Sequence, residues 1–193
     1  MNMCGRYTLF SDTDMEDIRD ILEEVQRQTN GEIKTGEIFP TNSAPVLLGE
    51  QTKITPVLVK WGFPNFSNKG VIINARAETA EEKPMFRKSL FTRRCVIPST
   101  GFYEWSHDKE KRKYLFNLPD TGALYMAGLY NEFDAEGRFV ILTTQANRSV
   151  ADIHDRMPVI LHKNEIAQWV QDTESSLRIL GRACLELEKK AVL

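Results

Sequence analysis

Met15, Ile18, Ile21, Leu22 and Val25 recur at the three-and-four spacing of a single helical face, which predicts a first helix over Ser11–Gln28. Ser11 is placed to cap that helix, Asp12 and Asp14 to meet the positive end of its dipole, and Asn30-Gly31 to stop it. From Ala44 to Thr144 the pattern shortens to β-rich runs. These are Pro45–Leu48, Ile54–Trp61, Val71–Asn74, Cys95–Pro98, Gly101–Trp105, Tyr114–Leu118, Leu124–Tyr130 and Phe139–Thr144. Gly62, Pro64, Asn65, Pro119-Asp120 and the stretch from Asp134 to Gly137 punctuate them. Met85–Thr92 predicts a short helix among the strands. A helical tail is expected after them, with one turn at Ser149–Ile153 and helices over Asn164–Gln171 and Glu174–Lys189. The strand spacing is that of an antiparallel sheet system, not of βαβ alternation, so the expected class is α+β with a β-rich core. No repeat, low-complexity run or linker divides the chain, and one domain is expected over residues 1–193.

Composition narrows this picture. A chain of 193 residues with 41% hydrophobic and 27% charged residues reads as one ordinary globular domain. A formal net charge of -2 argues against nucleic-acid binding through bulk charge, but it permits a local basic patch. Lys83, Arg87, Lys88, Arg93 and Arg94 supply one without an intervening acid, at a spacing that suits either phosphate contacts or a solvated helix face. Trp61, Phe63 and Phe66 read as a stacking ledge for unpaired bases or as core anchors. Three separated cysteines, Cys4, Cys95 and Cys184, suggest neither a disulfide framework nor a zinc ribbon. No metal ligand set and no cofactor motif is read. Without a signal peptide or an apolar run of the ~20 residues a bilayer demands, a cytoplasmic protein is expected.

Candidate chemistry begins at Cys4, close to the chain start. Freed of the residues ahead of it, Cys4 would carry an α-amine beside its thiol, groups that titrate near ~8 and ~8.5. Such a 1,2-aminothiol captures an aldehyde and closes a five-membered thiazolidine, which neither a lysine nor an internal cysteine can do. A cysteine tucked into the core reads equally well. Glu104 stands between aromatics in Gly101-Phe102-Tyr103-Glu104-Trp105, either solvated on an edge strand or buried with a raised pKa that suits proton transfer. His154 is one of three histidines and reads as a surface residue or as an acid–base group. Asn74 reads as a cap or a backbone bridge at a strand end. Asp155-Arg156 forms a salt bridge or a turn.

Taken in order, Cys4-Gly5-Arg6-Tyr7, Trp61-Gly62-Phe63, Ile73 to Thr79, Arg94 to Trp105, Met126-Ala127-Gly128-Leu129 and Asp152 to Leu161 resemble the SOS-response-associated peptidase (SRAP) family of abasic-site processing proteins. The resemblance implies antiparallel strands in a curved, barrel-like core and a groove for single-stranded DNA. It also implies a covalent thiazolidine link between the N-terminal cysteine and an abasic site, with weak lyase and self-processing peptidase activity. Carried onto this sequence, Cys4 is the nucleophile, Asn74 polarises the site, Glu104 shuttles protons and His154 helps open the sugar ring and resolve the linkage. Arg6, Arg76 and Thr143 are expected at phosphate or the opened sugar, and Phe66 and Arg87 at DNA. The expected partner is single-stranded DNA with abasic sites, bound by a monomer that does not engage a membrane. The chemistry requires removal of Met1-Asn2-Met3, by initiation at Met3 followed by methionine removal or by self-cleavage. A Pro-Val-Ser-like closing strand near the end is expected to be absent or altered, because the sequence stops at Ala191-Val192-Leu193.

Overall fold

The computed structural model describes residues 5–29, 33–50, 53–67, 69–119 and 122–192. Its elements in chain order begin with β1 (Arg6–Leu9), α1 (Glu16–Gln28), β2 (Gly36–Ile38), β3 (Ser43–Glu50), β4 (Lys53–Trp61) and β5 (Phe63–Pro64). Next come β6 (Val71–Ile72), β7 (Asn74–Arg76), α2 (Pro84–Thr92), β8 (Arg94–Ser99), β9 (Gly101–Trp105) and β10 (Lys113–Asn117). The last part holds β11 (Leu124–Phe133), β12 (Glu136–Gln145), β13 (Arg156–Pro158), β14 (Ile160–Leu161), α3 (Ile166–Gln171), α4 (Thr173–Leu180) and β15 (Glu188–Val192).

Five strands, β12-β4-β3-β8-β11, close a ring through β11–β12 pairing, so the barrel has no open edge between them. The ring is antiparallel except for β12–β4. A second sheet, β15-β10-β9-β1-β2, packs beside it. Successive barrel residues point to opposite sides of the wall and feed two cores. Ile97, Met126, Phe139 and Ile141 join α1 and the second sheet. Val96, Ala127, Val140 and Leu142 join α2, α3 and α4. This β-rich α+β architecture with a barrel-like core is the one the sequence predicts.

Two glycines permit close approaches that a side chain would block. A Cβ on Gly101 would meet the Phe116 carbonyl oxygen at 2.8 Å, where the chain leaves the barrel strand β8 for β9 after a single residue, Thr100. Gly62 lies at φ +113°, and a Cβ there would meet Val71 at 2.7 Å.

Several expectations need correction. The first helix starts at Glu16 behind Met15, so Glu16 and Asp17, rather than Asp12 and Asp14, occupy its first turn. Val71–Asn74 divides into β6 and β7. The predicted Glu174–Lys189 helix ends at Leu180. Its distal part becomes β15, whose backbone pairs with β10 from Lys113↔Val192 to Asn117↔Glu188. A closing strand is therefore present: the free edge of β10 offers hydrogen bonds that local helix propensity cannot match. Arg94 does not join the basic face, because it is buried, donating to the carbonyls of Trp169 at 2.6 Å and Leu90 at 2.7 Å. Trp61 and Phe63 are fully buried, which leaves Phe66 as the exposed member of the expected ledge.

Candidate functional site

The site is organised by the distal half of β12. On one side β7 runs parallel to it, pairing Ile141↔Asn74 and Thr143↔Arg76. On the other, β13 pairs Thr143↔Pro158 and Gln145↔Arg156. Two segments 80 residues apart, around Asn74 and around His154, thus flank Thr143 and wall a cleft of about 520 Å³. Asn74, Arg76, Thr143, His154, Asp155 and Arg156 line it with His107 and Asn65.

Of the expected site residues, Asn74, Arg76, Thr143 and His154 come together here. Arg76 is exposed and forms no ion pair with another described residue, so its charge is available to an anion. Thr143 is fully buried, and its carbonyl accepts from Arg156 Nη2 at 2.8 Å, a scaffolding contact rather than a surface one.

Glu104 lies in the neighbouring sheet. It is only 3% exposed, and β9 is flanked by β10 and β1, which removes the solvated edge-strand reading. Past Trp105 the chain reaches His107 on the cleft wall. Cys4 lies outside the described residues. Gly5, to which it is bonded, precedes β1, whose Arg6 pairs with Tyr103, the residue before Glu104.

Arg6 is held near this sheet. It ion-pairs with Glu37 at 3.4 Å, and its guanidinium stands 4.6 Å from the Phe39 ring centre and 5.0 Å from that of Trp105. Phe66 and Arg87 do not line the cleft. Phe66 is 79% exposed with its ring 6.3 Å from Phe133, and Arg87 on α2 stands 5.9 Å from the Phe91 ring centre.

His154 is buried on the cleft wall with its ring centre 4.8 Å from that of His107. Burial pushes its pKa down, partly opposed by Asp155, so the neutral imidazole is favoured. The backbone N–H of Arg156 donates to Nδ1 at 3.1 Å, while Asp155 Oδ1 stands 3.0 Å from the same nitrogen. Arg156 does not pair with its neighbour Asp155. Its Nη1 and Nη2 donate to Glu78 Oε1 and Oε2 at 2.6 and 2.7 Å. Hydrogen bonding from Arg156 draws the Glu78 carboxyl down to about 2. Glu78 and His107 are cleft-region groups that the sequence reading left without a role, and it gave Arg156 only a pairing with Asp155 or a turn. Both Glu78 and Arg156 fall within segments whose dense polar content was visible, but their pairing was not.

Among the described residues, His107, His154 and Asp155 form a group with metal-ligand chemistry, their ligand atoms within 4.8 Å of one another. That spread exceeds the ~3.4 Å that tetrahedral zinc bonds of about 2.0–2.1 Å give, and His154 Nδ1 already accepts a hydrogen bond. Burial pushes the Cys95 and Cys184 thiols up, so neither offers a thiolate near neutrality.

The sequence matches the model of the family described as SOS response associated peptidase (SRAP) over residues 3–191. It is 37% identical over 186 residues to the abasic site processing protein YoqW of Bacillus subtilis, covering 87% of this chain and 80% of that protein. It is 34% identical to the abasic site processing protein YoaM of the same organism, covering 90% and 82%. A crystal structure of a Bacteroides thetaiotaomicron protein shares the fold at TM-score 0.79 and 22% identity, over 98% of this chain and 92% of that one. With its fold, its ordered motifs and this full-length match, the chain belongs to the SRAP family.

Proposed function

We propose that the protein processes abasic sites in DNA, capturing them in single strands through a thiazolidine formed by Cys4. The observation that carries this reading is the gathering of Asn74, Arg76 and His154 on one cleft, with buried Glu104 on the strand that pairs with β1, the strand just downstream of Cys4. The relatives' names supply the substrate class, and the cleft's residues supply the chemistry.

A ring-closed abasic sugar is a hemiacetal. Opening it takes a proton from the hydroxyl at C1′ and gives one to the ring oxygen, and Glu104 and His154 are the groups suited to these transfers. The Cys4 amine then adds to the aldehyde and water leaves, giving an imine that Asn74 polarises. Attack of the Cys4 sulfur on the imine carbon closes the five-membered ring, with the thiol proton passing to nitrogen. Before ring closure the imine permits β-elimination of the 3′-phosphate, which is the source of a weak lyase activity. Arg76 meets a backbone phosphate at the cleft mouth. The reaction needs the Cys4 α-amine, so Met1-Asn2-Met3 is absent from the active form, whether by initiation at Met3 or by self-processing.

Incubation with a single-stranded oligonucleotide carrying one abasic site, followed by a denaturing gel, tests the reading alongside intact-mass measurement. A retarded, denaturation-resistant band is expected for chains that begin at Cys4, and none for Cys4→Ala. An undiminished band in Cys4→Ala, or capture by chains that retain Met1, overturns it.

A further inference from the structure

Nδ1 of His154 stands between two partners of opposite demand. The Arg156 N–H, at 3.1 Å, requires a lone pair on that nitrogen. The Asp155 carboxylate, at 3.0 Å, requires a proton on it. One nitrogen cannot satisfy both, so whichever partner is held more firmly fixes the tautomer. The Asp155 side chain is 83% exposed and competes with water for its hydrogen bonds. Arg156 is held from three directions. Its guanidinium grips Glu78 through two nitrogens, its Nη2 also donates to the Thr143 carbonyl at 2.8 Å, and its backbone lies in β13 against β12. Thr144 Oγ1 in turn donates to Glu78 at 3.3 Å.

We propose that Glu78 is a positioning residue for His154: by anchoring Arg156 it keeps the Arg156 N–H on Nδ1 and so keeps the imidazole proton on Nε2. His154 then faces its chemistry with an Nε2–H that donates a hydrogen bond, since its one lone pair is already engaged. The carboxylate acts at a distance of two residues' structure and touches no reacting atom. Without the grip, β13 is held to β12 by its ladder and by the Arg156–Thr143 bond, Arg156 is less firmly placed, and Nδ1 takes a proton to meet Asp155. The catalytic half of this inference rests on the role proposed above for His154, and the tautomer half does not.

Long-range proton–nitrogen correlation spectra of the full chain, labelled at its three histidines, read the tautomer directly. His107→Gln and His162→Gln assign the signals. In the unsubstituted protein His154 is expected with an unprotonated Nδ1. In Glu78→Gln, which keeps the shape and removes the charge, the Nδ1 signal is expected to move toward the protonated position, and capture of abasic DNA to slow about tenfold, as small misplacements of acting groups do. Arg156→Lys, which keeps the charge but loses the two-pronged grip, is expected to move the same signal, and it serves as the test should Glu78→Gln fail to fold. An unmoved Nδ1 signal in a folded variant overturns the positioning role. A moved signal with an unchanged capture rate overturns the part His154 is given in the reaction and leaves the anchor standing. If the unsubstituted protein, prepared with Cys4 as its first residue, captures nothing, the proposed function fails while the spectra still decide the tautomer.

Discussion

Two arginines in this molecule make nearly the same contact with opposite consequences. Arg156 bonds both oxygens of Glu78 and the Thr143 carbonyl at 2.8 Å. Arg182 bonds both oxygens of Glu165 and the Ile160 carbonyl at 2.9 Å. The second pair fastens the end of α4 to β14 and to the turn that starts α3, on the side where Trp169 and Arg94 cross-link helix and barrel. The first pair fastens strands that wall the cleft. Exposure separates them further, with the Glu165 side chain 15% exposed and that of Glu78 45%. The same hydrogen-bonding chemistry holds the barrel's back together and sets up its front. Its value in stability falls as water reaches it, while its value in chemistry depends on the groups next to it.

The comparison breaks most visibly on the back. Trp169 is fully buried and its Nε1 donates to the Cys95 carbonyl at 2.8 Å, so Trp169→Ala is expected to cost about 3–5 kcal/mol by denaturant unfolding. The folded fraction should keep its rate of abasic-site capture. A rate lost in proportion to nothing but the substitution would place the back within the reaction. Next in size, Glu165→Gln removes a carboxylate whose side chain is only 15% exposed and is expected to cost about 1–3 kcal/mol, again with capture unchanged. Glu78→Gln should cost less than about 1 kcal/mol, because the carboxylate is well exposed, yet it should be the variant that slows capture. Equal stability losses in these two variants would erase the distinction.

The smallest effect is a slope in pH. Glu78 titrates near 2, below its usual 4.5, because Arg156 bonds its charged form. A carboxyl lowered on folding adds stability that is complete above the unfolded value and fades as pH falls through the folded one. Between about pH 4.5 and about 2 the unsubstituted protein should therefore lose more stability than Glu78→Gln does. Parallel acid titrations of the two by circular dichroism would show the convergence, and parallel curves would refute it.

Long elements were legible because their signal is local. The α1 stripe and the apolar runs of β4, β8, β11 and β12 follow from side-chain period alone. Short strands were not: β1, β2, β13 and β14 hold two to four residues each, too few for a period, and exist by pairing to distant neighbours. The end of the chain shows the same rule from the other side. Glu188 and Lys189 read as helix, yet β10 draws them into a strand. In the site, the motif residues stood out by their clustering along the chain, and the structure places Asn74, Arg76, Thr143 and His154 on one cleft. Trp61 and Phe63 took the core-anchor reading and Arg94 left the basic face, since an aromatic or a cation looks alike in sequence whether it meets solvent or a buried carbonyl.

Ordered motifs along one chain determined the family, the β-rich α+β class and the residue types available for chemistry, because these depend on composition and local spacing. Closure of the barrel, the fate of the last strand, the burial of Glu104 and the choice of Glu78 rather than Asp155 as the partner of Arg156 were decided in three dimensions. Each depends on which backbone edges and which opposite charges the fold brings within bonding distance, and separation along the chain carries no record of that.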